Sequence, residues 1–264
     1  TERKKIKFFD NIDPIQFKNS INQLNFEKVG IIIISKSGNT PETLSQFSAI
    51  INFFKSKKNY ESLIEDCLII TENKNSPLKL IAEKYNCKLL FHHDDIGGRY
   101  SVFSNVGLIP AAIAGLDITK IRIGASNLIS KIIDGSFKEH LTSAKLFINL
   151  QNIKNINLNV LMTYSDALFY FGKWYLQLWA ESIGKNTKGI TPIHSVGTTD
   201  QHSQLQLYLD GPRDKFFTLI SKNHKGLGLI MNKKILEEVS VDYLAGKSMG
   251  DLMQAEHQAI LNTF

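Results

Sequence analysis

The run VGIIIISKSGNTPET, residues 29–43, constrains the fold of this chain more than any other. Residues 29–34 are apolar on both alternating sets and β-branched apart from Gly30. That pattern predicts a central strand of a parallel sheet, covered on both faces. Small and polar residues follow: Ser35, Lys36, Ser37, Gly38, Asn39 and Thr40. Pro41 fits the first turn of a helix, with Thr40 as its N-cap. Leu44, Phe47, Ile50, Ile51 and Phe54 then recur at helical spacing, to about Lys57. The loop therefore joins a strand's carboxyl end to a helix's amino end, where open α/β sheets bind ligands. Free N–H groups and a partial positive charge at a helix start suit an anion. With the hydroxyls they make a candidate phosphate site. The same residue types also build ordinary turns.

The alternation continues along the chain. Residues 67–71 and 87–92 read as strands, with a helix opening at Ser76 and Pro77 between them. The loop DDIGGRYSVFSNVG (94–107) leads into an apolar helix. Residues 121–152 read as mostly helical. A second unit begins with a strand at 158–163 and a long amphipathic helix at 167–183. A long polar loop is expected over 184–202 and continues through 204–209. A strand at 216–221, a polar linker and a helix at 249–262 complete the chain. A β-α-β-α order implies parallel sheets joined by right-handed crossovers.

Composition narrows the function classes. The chain has 264 residues and a net charge of +6. Its lysines (Lys4, Lys5, Lys55, Lys57, Lys58, Lys233 and Lys234 among them) are scattered, without a basic tract or interleaved aromatics, which argues against a nucleic-acid partner. No stretch reaches the roughly 18 apolar residues of a membrane span. The start, TERKKIKFFD, lacks the apolar core of a signal peptide. Cys67 and Cys87 read as thiols, not a structural disulfide, and point to a reducing, cytoplasmic setting. His92, His93, Asp94 and Asp95 are adjacent, but neighbouring strand residues face opposite sides, so no metal site is expected.

Three segments carry a resemblance. SKSGNTPET (35–43) resembles the phosphate loop of the sugar-isomerase, or SIS, domain. DDIGGRYSVFSNVG (94–107) resembles the signature loop of the glucose-6-phosphate isomerase family. AESIGK (180–185), with DQH (200–202) downstream, resembles that family's active-site glutamate and histidine segments. The first motif is common to many sugar-phosphate binders; the other two, in this order, are strongly specific, and the whole resembles the bacterial branch of the isomerases. The resemblance runs from DNIDP (10–14) to LAGKSMGDLMQAEHQ (244–258). It implies two SIS-type α/β/α subdomains, 1–135 and 136–264, each with a mostly parallel sheet flanked by helices. The family's glycine-rich strand–loop before SKSGNT and its C-terminal sugar-contacting lysine have no counterpart. The chain is therefore expected to be truncated at both ends and at best a feeble isomerase.

The resemblance further implies roles. Glu181 is the base that moves a proton between C2 and C1 of the sugar. The dipole at a helix C-terminus disfavours a carboxylate, which suits a base working near neutrality. His202 assists ring opening, since imidazole titrates near neutral pH, and is supplied across a homodimer interface. Arg99, after two glycines that allow close approach, stabilises the enediolate. Ser35, Lys36, Ser37, Thr40 and Thr43 hold the phosphate, while Gly98 and Gln177 contact the sugar. Gln177 precedes Glu181 by one helical turn and shares its face. The substrate is a hexose 6-phosphate, with no cofactor, metal, nucleic acid or membrane. The alternatives are another sugar-phosphate enzyme, such as the isomerase half of a hexosamine synthase, and a non-catalytic sugar-phosphate-binding SIS module.

Overall fold

The computed structural model describes residues 6–56, 60–153 and 156–264. The chain divides into two compact units, the first ending at Ser136 and the second starting at Phe137. Each contains a three-stranded parallel sheet flanked by helices.

In the first unit, helix α1 (Pro14–Asn22) precedes strand β1 (Ile32–Ile34) and helix α2 (Pro41–Phe54). The sequence-expected end of α2 at about Lys57 lies outside the described residues, as do Lys4, Lys5 and Lys58. Helix α3 (Tyr60–Glu65), strand β2 (Leu68–Glu72), helix α4 (Pro77–Lys84) and strand β3 (Lys88–His92) follow. Helices α5 (Asn105–Ile113) and α6 (Ile118–Ile133) close the unit. The strand order is β1-β2-β3. Among the described residues β1 pairs on one side only, so it stands at an edge of this sheet and not at the expected centre. β2 takes the centre, and its Ile69 and Ile70 are fully buried. The core explains the spacing in α2: Phe47, Ile50, Ile51 and Phe54 pack with Ile33, Ile69, Leu78 and Ala82. Burying each large side chain contributes about 1.5–3 kcal/mol. Ser76 caps α4, accepting from the Lys79 N–H at 3.4 Å, with Pro77 at the first helical position. Cys67 and Cys87 are free and buried. Burial pushes their thiols up to about 12 and about 11.

In the second unit, helix α7 (Glu139–Asn152) leads to strand β4 (Leu158–Tyr164) and helix α8 (Phe169–Ile183). Strand β5 (Thr191–Val196) and helix α9 (Thr199–Asp210) come next. Both fall where a long polar loop is expected, so that expectation is corrected. Strand β6 (Lys215–Ser221), helix α10 (Lys233–Glu238) and helix α11 (Met249–Thr263) complete the unit. The order is β5-β4-β6. Central β4 is buried from Asn159 to Tyr164. Asn159, fully buried, is satisfied: its amide donates to Tyr175 Oη at 2.6 Å and its Oδ1 accepts from Thr218 Oγ1 at 3.3 Å. Among the described residues, no helix is long and apolar enough to cross a membrane.

Candidate functional site

The first unit presents the loop between β1 and α2 at the carboxyl edge of its sheet. Ser35 is buried, and its Oγ lies 2.8 Å from Thr40 Oγ1 and accepts from the Gly38 N–H at 3.2 Å. Thr40 occupies the N-cap of α2 as expected, but its hydroxyl makes no cap hydrogen bond. Its partner is Ser35 instead. Ser37 is exposed and accepts from the Asn39 N–H at 3.2 Å. Thr43 lies in the first turn of α2. Gly38 turns the loop with φ +65°, and a Cβ there would stand 2.2 Å from Ser76 Oγ. Only glycine allows this turn to press against the cap of α4.

Lys36 is not loose. Its backbone carbonyl accepts from the Glu72 N–H at 2.9 Å and from Thr71 Oγ1 at 3.2 Å. Its ammonium lies 3.3 Å from Glu72 Oε1 and donates to the Asp94 carbonyl at 3.2 Å. Glu72 and Lys74 beside this loop are residues that the sequence patterns did not single out, and Asp94 drew notice only within the 94–107 motif and as a rejected metal ligand. The signal for them is register. Ile34 pairs with Ile70 in parallel, so counting on two residues brings Lys36 level with Glu72. The Lys74 ammonium holds the Glu72 carboxyl below its ordinary range, aided by Lys36 and opposed by burial. Glu72 in turn raises Lys74.

Gly98 and Arg99 begin a short 3-10 turn, Gly98–Phe103, after β3. The Arg99 guanidinium sits over the Tyr100 ring at 4.6 Å. His92 is buried and its Nε2 pairs with the Ile96 carbonyl at 2.9 Å, while His93 is exposed and accepts from the Asp95 N–H.

The second unit carries Gln177, Glu181 and His202. Gln177 Nε2 donates to Glu181 Oε1 at 3.0 Å. Their helix is pinned from its other side. Tyr175 holds Asn159 of β4, and Trp179 Nε1 donates to the Ile190 carbonyl at 2.7 Å. Residues two apart in a helix point to opposing sides, so anchoring Tyr175 and Trp179 turns Gln177 and Glu181 outward, where both are exposed. Gly184 caps the helix, its N–H donating to the Ala180 carbonyl at 2.9 Å.

His202 lies in the first turns of α9, not in a loop. The same logic places it. Asp200 Oδ2 accepts from the Val196 N–H at 2.7 Å. Ser195 Oγ and Tyr208 Oη are 2.6 Å apart, and Tyr208 also donates to Gln204. Asp200, Gln204 and Tyr208 share one face and fasten α9 to β5. His202 stands two residues off that face and is exposed. Burial raises the Tyr175 and Tyr208 hydroxyls above their ordinary values, as befits structural anchors.

The comparisons with known proteins agree with one another. A family model described as phosphoglucose isomerase matches residues 1–231. A glucose-6-phosphate isomerase of Rubrobacter xylanophilus is 34% identical over 258 residues, covering 97% of this chain and 59% of the relative. Among solved structures, a hypothetical protein from Thermus thermophilus superimposes with a TM-score of 0.84 at 29% identity, covering 96% of this chain and 61% of that one. A glucose-6-phosphate isomerase from Chlamydia trachomatis shares the fold with a TM-score of 0.73 at 24% identity, covering 89% and 48%. The chain spans a little over half the length of the curated relatives it matches. The chain belongs to the phosphoglucose isomerase family.

Proposed function

We propose that the protein acts in the reversible isomerisation of glucose 6-phosphate to fructose 6-phosphate. The family match carries this reading, because residues 1–231 include every proposed site residue. Ser35, Lys36, Ser37, Thr40 and Thr43 hold the phosphate through hydroxyls and backbone donors at the start of α2. His202 assists opening of the pyranose ring. Glu181 takes the proton from C2 and returns it to C1 through a cis-enediol, so no electron leaves the sugar and no redox partner is consumed. Gln177, hydrogen-bonded to Glu181 at 3.0 Å, orients the carboxylate and contacts the sugar. Arg99 opposes the charge of the enediolate, and Gly98 leaves room for substrate: a Cβ there would meet no atom within 4 Å.

We read the two units as SIS-type subdomains, 1–135 and 136–264, and the assembly as a homodimer with His202 supplied across its interface. The free, buried thiols support a cytoplasmic setting, and the scattered lysines speak against a nucleic-acid partner.

A coupled assay for fructose 6-phosphate tests the reading. Turnover of glucose 6-phosphate is expected from the wild-type protein. Saturable binding of the substrate with no product formed at any enzyme concentration would make the protein a passive sugar-phosphate-binding module.

A further inference from the structure

The carboxyl ends of β1, β2 and β3 are joined by a closed ring of four charged residues. Glu72 Oε1 meets Lys36 at 3.3 Å and Glu72 Oε2 meets Lys74 at 3.0 Å. Lys74 continues to Asp94 Oδ2 at 3.5 Å, and Lys36 returns to the Asp94 carbonyl at 3.2 Å. The four residues come from three stretches of the site. Lys36 is part of the phosphate loop. Glu72 ends the central strand, with Lys74 just beyond it. Asp94 begins the segment that runs, four residues on, to Gly98 and Arg99.

Glu72 is the hub. It is 7% exposed, and each of its oxygens holds a different ammonium. A buried carboxylate is retained only where cations and hydrogen bonds compensate it. Here those cations tie down two separate loops. Surface ion pairs taken singly contribute little, but a ring with a buried member sets geometry, because moving one loop breaks two contacts at once.

We propose that Glu72 is a positioning residue for the sugar-phosphate site, holding the Lys36 phosphate loop and the Asp94–Arg99 segment in fixed register through Lys36, Lys74 and Asp94. The inference rests on the sugar-phosphate reading of the 35–43 loop. Its consequence is specific to ligands with two anionic ends. Such a ligand must satisfy the phosphate loop and Arg99 together, so it depends on the spacing between them. Inorganic phosphate needs the loop alone.

The test is calorimetry with inorganic phosphate and 6-phosphogluconate, which carries a phosphate at one end and a carboxylate at the other. Wild-type protein is expected to bind both, 6-phosphogluconate more tightly. In Glu72→Gln, affinity for 6-phosphogluconate is expected to fall about tenfold, the worth of one organised charged hydrogen bond, while that for phosphate stays unchanged. Lys74→Met removes two links of the ring, to Glu72 and to Asp94, from an exposed position with little risk to folding, and is expected to shift the two affinities in the same unequal way. If Glu72→Gln does not fold, Lys74→Met decides alone. Equal losses for both ligands, or wild-type affinities in both variants, would overturn the positioning role. If wild-type protein binds neither ligand, the sugar-phosphate reading of the loop falls and the inference with it.

Discussion

Gln177, Glu181 and His202 reach solvent because their neighbours do not. Tyr175 and Trp179 bind inward from α8, and Asp200, Gln204 and Tyr208 bind inward from α9. The groups proposed to carry the chemistry occupy the faces left over. This arrangement was only partly legible in the sequence. The one-turn spacing of Gln177 and Glu181 could be read directly, because helical periodicity alone sets it. The anchoring of α9 could not, since Asp200, Gln204 and Tyr208 are polar and their partners lie on another element. Gly38 makes a sharper residue-scale case. Its left-handed backbone and its contact with Ser76 leave no space for a side chain. Gly38→Ala is expected to destabilise the protein by about 1–3 kcal/mol, the usual cost of a strained backbone position. It should also weaken phosphate binding by displacing the loop. Urea denaturation and phosphate titration of the same variant check both effects.

Strands were legible where one face pattern or unbroken apolarity marked them, as in β2 and β4. Two elements show what pattern leaves out. The isoleucine run before Ser35 suits a central strand, yet β1 pairs on one side with β2 among the described residues. Hydrophobicity reports burial and does not give strand order. The segment TPIHSV reads as loop because of Pro192, His194 and Ser195, but it forms β5. It is an edge strand of its sheet among the described residues, where a proline's missing N–H costs no ladder bond. His194 is held there by Thr163 Oγ1 at 3.0 Å, a partner supplied by β4. The ion ring at the ends of β1, β2 and β3 has a pH signature. The Glu72 carboxyl is lower in the folded protein than in the unfolded chain. Its contribution to stability is therefore fully present above the ordinary glutamate range and is lost as pH falls through the folded value. The stability difference between wild type and Glu72→Gln should shrink on acidification. Denaturation of both proteins at neutral and acid pH measures it, and a difference that is constant across that range would contradict the ring.

At the scale of the molecule, each unit repeats one plan, a short parallel sheet flanked by helices: the 35–43 loop and the start of α9 with His202 follow strand ends at the carboxyl edges, whereas Gln177 and Glu181 lie near the end of α8, which Trp179 ties to Ile190 at the amino end of β5. The segments proposed to carry the chemistry are divided between the units, the 35–43 loop and Arg99 in the first, the Glu181 and His202 helices in the second. Family membership accounts for why both sets occur in one chain, and the proposed reaction gives each a task. The most direct measurement is proton exchange at C2 of glucose 6-phosphate in deuterated water, followed by nuclear magnetic resonance over an incubation long enough to detect slow turnover. Wild-type protein should place deuterium at C2, and Glu181→Gln should slow this by about 10²–10⁴-fold, the range of a general acid–base group, with 6-phosphogluconate affinity nearly unchanged. Deuterium incorporation by Glu181→Gln at the wild-type rate would contradict the assignment of the proton shuttle to this carboxylate.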